Sequence, residues 1–244
     1  MRSIILLSAI FALAACAEST PSQTTDTPVQ PPTKTMDEPT LDEVSTSLES
    51  VLAAQPEAVQ ARYPFRNPAQ TLDFFGIESG MTVVEALPGG GWYSKILLPY
   101  LGEGGELIGA NYSIDMQRLF SFRTPEQLKK LETWTTDWPE TAATWVEDNN
   151  TPISGFFFGA QPESMAGSAD AVLFIRALHN FARFQNEGNF LTTAINDAYT
   201  ALKPGGILGV VQHQMREESP DAWAEGNRGY LKQSFVVAQM EAAG

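Results

Sequence analysis

One cysteine in 244 residues, Cys16, excludes an internal disulfide, so the globular part must be held by its core alone. Basic charge is also scarce: 15 Lys and Arg against 29 Asp and Glu give a formal charge of −14. Such a chain is repelled by nucleic-acid phosphates and by anionic lipid head groups. No basic run offsets this, and no nucleic-acid partner is expected. Histidine is limited to His179 and His213, and no metal is expected. The apolar run at the start, Ile4 to Ala15, falls short of the roughly 20 residues that a membrane-spanning helix needs.

That run follows a single positive charge, Arg2, and reads as a secretory signal over residues 1–15. It closes as Leu13-Ala14-Ala15-Cys16, which resembles a bacterial lipobox. The resemblance implies cleavage before Cys16 and a lipid on its thiol; a chance cysteine after an ordinary signal is the alternative. Two or more acyl chains anchor stably where one is marginal. Residues 16–40, rich in Thr, Pro, Ser and Gln, hold too little apolar surface to offset ordering, and read as a disordered tether. The expected address is the bacterial cell envelope, lipid-anchored to a membrane and facing the periplasm.

Residues 41–80 read as a helical prelude and 81–244 as an α/β domain. Leu41, Val44, Leu48, Val51 and Leu52 share a helical face, and Pro56 starts a second helix. Pro68 to Phe75 suits a short helix with Asn67 as its cap. Apolar runs at 81–86, 105–111, 153–158, 169–175 and 207–212 read as strands, with helices at 92–101, 115–122, 125–134 and 188–202. Thr124 is the expected cap of the third of these. The polar, Thr-rich stretch 135–150 reads as a surface excursion, Lys203 to Gly206 as a sharp turn, and 220–243 as broadly helical with an interruption at Gly226 and Gly229. Strands alternating with helices, apolar throughout rather than alternating with polar residues, predict a doubly wound, mainly parallel sheet.

Within this pattern Met81–Ala86 runs into Gly89-Gly90-Gly91 and then into helix-compatible residues. Strand, glycine turn and helix bring backbone N–H groups close to a nucleotide-like ligand. Glu85, at the strand's carboxyl end, is placed either to bind a ligand's ammonium or to serve as a capping carboxylate. A dinucleotide oxidoreductase is disfavoured, because Leu87 and Ser94 break the G-x-G-x-x-G spacing.

Three stretches, V-V-E-A-L-P-G-G-G-W-Y (83–93), A-D-A-V-L-F-I-R-A-L-H-N-F (169–181) and L-K-P-G-G-I-L-G-V-V-Q-H (202–213), resemble the class I S-adenosylmethionine-dependent methyltransferases. Within these the chain is similar to a family of often secreted bacterial methyltransferases. The resemblance implies a Rossmann-like methyltransferase fold and S-adenosylmethionine as cofactor. It implies that Glu85, Gly89, Gly90 and Gly91 form the cofactor loop, with Leu87 where the first glycine of the motif would stand. It makes Asn111, at the end of the second strand, a ribose contact in place of the usual acid, or else a helix cap. It turns the loop after the fourth strand toward the transferred methyl group. There Arg176 would hold an anionic group, His179 would act as general base or brace the loop, and Asn180 would complete the set. His213 and the prelude residues Arg62, Tyr63 and Arg66 are site candidates or plain surface. The chain ends where such domains continue into two more strands, so either a C-terminal truncation or a five-stranded variant is expected.

Two functions follow. One is a methyltransferase acting on an unknown small molecule, by in-line displacement that needs positioning more than acid–base groups. The other is a lipid-anchored, non-catalytic binding protein that retains the fold, since S-adenosylmethionine is not expected to be abundant outside the cytoplasm.

Overall fold

Five apolar runs, the central three (Thr82–Ala86, Glu106–Asn111 and Ala169–Ile175) mostly buried and the outer two only partly, build a sheet with helices on both faces. The computed structural model describes residues 47–244, all within one compact unit, Val44–Gly244. The signal, Cys16, the tether and the first residues of the prelude lie outside the described residues. The prelude is four short helices: α1 (Leu48–Ala53), α2 (Glu57–Gln60), α3 (Tyr63–Arg66) and α4 (Pro68–Phe74). Then come β1 (Thr82–Ala86), α5 (Ser94–Leu101), β2 (Glu106–Asn111), α6 (Ile114–Arg118), α7 (Pro125–Leu131), α8 (Trp134–Ala143) and β3 (Ile153–Phe157). β4 (Ala169–Ile175), α9 (Leu178–Arg183), α10 (Gln185–Gly188), α11 (Phe190–Ala201) and β5 (Leu202–Val211) follow. The chain closes with β6 (His213–Met215), β7 (Tyr230–Lys232) and α12 (Gln233–Ala243).

β1 to β5 form a parallel sheet in the order β3-β2-β1-β4-β5, and β6 and β7 a separate parallel pair. This is the expected doubly wound, Rossmann-like α/β fold. Winding runs outward from β1 to β3 and then returns to β4, so the topological switch lies between β1 and β4, where such sheets bind ligands. Successive strand residues face opposite layers. Val84 and Ala86 pack with α6, α9 and α11, whereas Val83 packs with α5 and the prelude. Glu85, two residues after Val83, therefore points to the prelude side.

The prelude is held to α5 by a defect. Pro99 lies inside α5 and has no N–H, so the Lys95 carbonyl loses its helical donor. Gln55 supplies the bond, its Nε2 donating to Lys95 O at 3.0 Å. At the opposite end of the sheet one carboxylate joins three strands. Asp170 Oδ2 accepts the Thr82 N–H at 2.8 Å, and Lys203 Nζ lies 2.7 Å from Asp170 Oδ1. Burial opposes ionisation of Asp170, but these bonds prevail and hold its carboxyl below the ordinary range.

Several local expectations are corrected. Residues 135–150 are not a bare surface excursion, because α8 runs through them. Trp134 and Trp138 stack at 5.3 Å over Gly109 and Gly155, which face each other across β2 and β3. A Cβ at Gly109 would lie 2.5 Å from the Trp138 ring. The segment 220–243 is less helical than expected: Asp221–Trp223 makes a single 3-10 turn, left-handed Gly226 and Gly229 interrupt the chain and lead it into β7, and an α-helix runs only from Gln233. Asn67 makes no side-chain cap on α4. It takes a left-handed conformation (φ 42°) that ends the single turn of α3 and starts α4. The helix expected over 188–202 is α11, and left-handed Asn189 separates it from the one-turn α10 before it. Lys203 to Gly206 bulge from within β5, between Leu202, paired with Ala169, and Ile207, paired with Ala171. Thr124 does cap α7, in a full capping box with Gln127.

Candidate functional site

A cavity of about 380 Å³ opens at the carboxyl ends of β1 and β4, at the switch point. Glu85, the loop Leu87–Gly90, Tyr93, Arg62, Arg66 and Arg176 all contribute to its wall.

Glu85 is 5% exposed, and among the described residues its one hydrogen bond is from Ser94 Oγ, the first residue of α5, at 2.6 Å. Burial in this apolar setting raises the carboxyl from 4.5 to about 7. The Ser94 bond and the field of Arg66 oppose the rise without cancelling it.

The loop leaves β1 through alternate left-handed residues: Leu87 (φ 58°), Gly89 (φ 55°) and Gly91 (φ 73°). Leu87 keeps a backbone conformation suited to glycine, at a cost of roughly 1–2 kcal/mol. Its side chain packs into the core on the α9 side of the sheet. Gly91 N–H donates to Pro88 O at 2.9 Å and closes the turn. Among the described residues no backbone acceptor takes the N–H of Gly89 or Gly90, and both line the cavity. Gly91 does not line it. A Cβ there would fall 2.0 Å from the Trp145 ring, so its role is close packing.

The Trp-Tyr pair after the glycines fastens the prelude. Trp92 Nε1 donates to Val59 O at 3.3 Å and Tyr93 Oη to Arg66 O at 3.3 Å. The Arg66 guanidinium lies 4.6 Å from the Trp92 ring centre, and Tyr63 packs edge-on against the same ring. Tyr63 Oη donates to Leu52 O at 2.9 Å. Arg62 and Arg66 are thereby brought to the cavity, and Tyr63 is a brace behind them. Arg176 reaches the cavity from the end of β4 with a left-handed backbone (φ 59°).

The other candidates stand apart from it. Asn111 does not line the cavity. Its Oδ1 accepts the Tyr112 N–H at 2.8 Å and Gln117 Nε2 at 3.4 Å, beside the start of α6. Asn180 Nδ2 donates to Tyr112 Oη at 2.8 Å, tying α9 to the end of β2. His179 also lies outside the cavity lining. The chain at Gly226 presses on it so closely that a Cβ there would lie 1.9 Å from His179 O. Burial lowers the imidazole's affinity for a proton; nearby Gln212 opposes that, while His213 and Arg176 add to it. Neither His179 Nδ1 nor Gln212 Oε1 has a hydrogen-bond partner of good geometry among the described residues. His213 is exposed beside Tyr230, with ring centres 5.7 Å apart. No group of three or more His, Cys, Asp and Glu among the described residues is arranged to hold a metal.

Sequence reasoning missed Ser94 and Lys95. Ser94 is signalled only by a hydroxyl at the helix start after the glycines, and Lys95 by nothing local. It also missed Trp145, whose spacing from Trp138 is helical.

No family profile and no curated relative matches this chain. Among solved structures it is similar to an arsenic(III) S-adenosylmethionine methyltransferase from Chlamydomonas reinhardtii, at 17% identity over 81% of this chain and 61% of that one, with a TM-score of 0.45. It is also similar to a methyltransferase dependent on the same cofactor from Aquifex aeolicus, at 16% identity over 81% of this chain and 88% of that one, with a TM-score of 0.45. The strand order and register described above, rather than these distant likenesses, define the fold.

Because Glu85 binds its proton more tightly folded than unfolded, its stabilising contribution is complete below pH 4.5 and falls as pH rises to about 7. Urea denaturation should show the wild type losing about 3 kcal/mol more than Glu85→Gln across that interval. Parallel pH profiles for the two proteins would show that the carboxyl is not perturbed.

Proposed function

We propose that the chain is an S-adenosylmethionine-dependent methyltransferase acting on a small molecule. The carrying observation is the buried Glu85 carboxyl beside the unused N–H groups of Gly89 and Gly90, at the switch point of a parallel sheet. These groups suit the amino-acid end of the cofactor. An ammonium is the natural partner of a carboxylate short of hydrogen bonds, and free N–H groups suit a carboxylate. The ribose side fits less closely, because the Asn111 oxygen is already engaged. When bound, the cofactor supplies an activated methyl group on a sulfonium.

The protein's own part is to bind and orient. Glu85 would hold the ammonium in its ionised form, with Ser94 fixing the carboxylate's direction. Leu87 anchors the loop in the core, and Trp92 and Tyr93 hold the prelude against it. Among the described residues no histidine lines the cavity, so the chemistry favours an acceptor that is nucleophilic at neutral pH without a base at that point.

Calorimetric titration of the purified full chain with S-adenosylmethionine and S-adenosylhomocysteine tests this reading. Saturable binding is expected, weakened by about 1.5–3 kcal/mol in Glu85→Gln. Wild-type affinity should rise with pH up to about 7 and then level off, because binding requires the ionised carboxyl. No binding at millimolar ligand would remove the enzyme assignment.

The same proposal sets the enzyme in the bacterial cell envelope, lipid-anchored through Cys16 and facing the periplasm, on the strength of Leu13-Ala14-Ala15-Cys16. Cys16→Ser should move the chain from the membrane fraction to the soluble fraction. Retention of the variant in the membrane would rule out the anchor.

A further inference from the structure

We infer that Arg62, Arg66 and Arg176 form a receptor for a doubly charged oxyanion of the phosphate type, carried by the methyl acceptor. The acceptor half of this inference rests on the methyltransferase reading; the anion site itself does not.

The three guanidinium groups come from separate places. Arg62 precedes α3, Arg66 closes it, and Arg176 follows β4, yet all three line one cavity. Lys95 lines it too, against a single carboxyl, Glu85. Four of the chain's 15 basic side chains thus line one cavity of a protein whose formal charge is −14. A solvated surface would scatter them among the acidic residues. The ion pairs found among the described residues use Arg118, Lys203 and Lys232, so these four cations have no carboxylate partner there.

Arg66 is the most committed of them. Its guanidinium is held against Trp92, and its Nε is buried with no acceptor among the described residues. Burial, and then the nearby charges of Arg62 and Arg176, lower its hold on its proton, so the three groups lie within electrostatic reach of one another. Holding like charges together at an orphaned donor is unfavourable unless an anion completes the set. Planar guanidinium forks match the oxygens of phosphate and carboxylate.

Charge balance separates the two possible sources of that anion. S-adenosylmethionine carries a carboxylate, an ammonium and a sulfonium, and is a net cation. Its arrival would add to the positive charge already lining the cavity. A doubly charged group on the acceptor supplies what is missing and sets it on the β4 side, beside Arg176.

Isothermal titration of the purified full chain at constant ionic strength tests the inference, with inorganic phosphate and acetate as probes. Phosphate should bind saturably, at least tenfold tighter than acetate. It should tighten S-adenosylmethionine more than the less positive S-adenosylhomocysteine. Arg176→Gln and Arg62→Gln, both at exposed positions, should each weaken phosphate at least tenfold while urea unfolding stays as in the wild type. Equal affinity for phosphate and acetate, or phosphate binding untouched in both variants, overturns the inference. If phosphate instead competes with S-adenosylhomocysteine and the variants lose both ligands alike, the arginines hold the cofactor's carboxylate and the acceptor assignment is wrong. Cofactor binding without phosphate binding rejects this inference and keeps the enzyme reading. Phosphate binding without cofactor binding does the reverse.

Discussion

A carboxyl group set inside the sheet with one hydrogen bond governs the rest of this structure. The two-residue period of β1 turns Glu85 to the same face as Val83, into apolar surroundings that favour its neutral form. Ser94 alone does not restore the ionised form. Burial leaves this carboxyl poised near neutrality, and a cationic ligand group is a partner that would make its ionisation favourable. The backbone around it follows the same requirement. Left-handed residues at 87, 89 and 91 carry the chain sharply off the strand, leaving two N–H groups facing the cavity.

The prelude belongs to the site as much as the sheet does. Gln55 fills the vacancy that Pro99 makes in α5, and Trp92 and Tyr93 bond to the backbone at Val59 and Arg66. These bonds reach from the glycine loop and the helix after it to the segment that carries Arg62 and Arg66. A ligand ordering the loop would therefore order the arginines with it. The Trp-Tyr pair that follows the glycines in sequence has a direct physical use here.

The fold was legible because parallel strands buried on both faces read as apolar runs, and the turns between them are rich in glycine. That Glu85, Gly89, Gly90 and Arg176 line one cavity was legible for a related reason: Glu85 is the last residue but one of β1 and the others lie just beyond strand ends, where this topology opens its crevice. The same logic brought in Asn111, His179 and Asn180, and there it lacked what it needed. The Asn111 oxygen is taken up locally, by Tyr112 N–H and Gln117, whereas Asn180 bonds Tyr112 and the chain at Gly226 presses on the His179 backbone, contacts between segments far apart in sequence. α8 was hidden because its threonines and acids outnumber the tryptophans that face inward. β7, three residues long, is too short to show a period at all. Lys203, read as part of a turn, proved to be the partner of Asp170, a pairing that only the β4–β5 register reveals.

The protonation of Glu85 can be measured directly, by carboxyl-carbon NMR of the full chain across pH, alone and with S-adenosylhomocysteine. The free protein should titrate Glu85 near 7, and the bound protein should hold it ionised well below that. A value near 4.5 in the free protein, or one that the ligand leaves unmoved, would mean that this carboxyl is not the group on which the site turns.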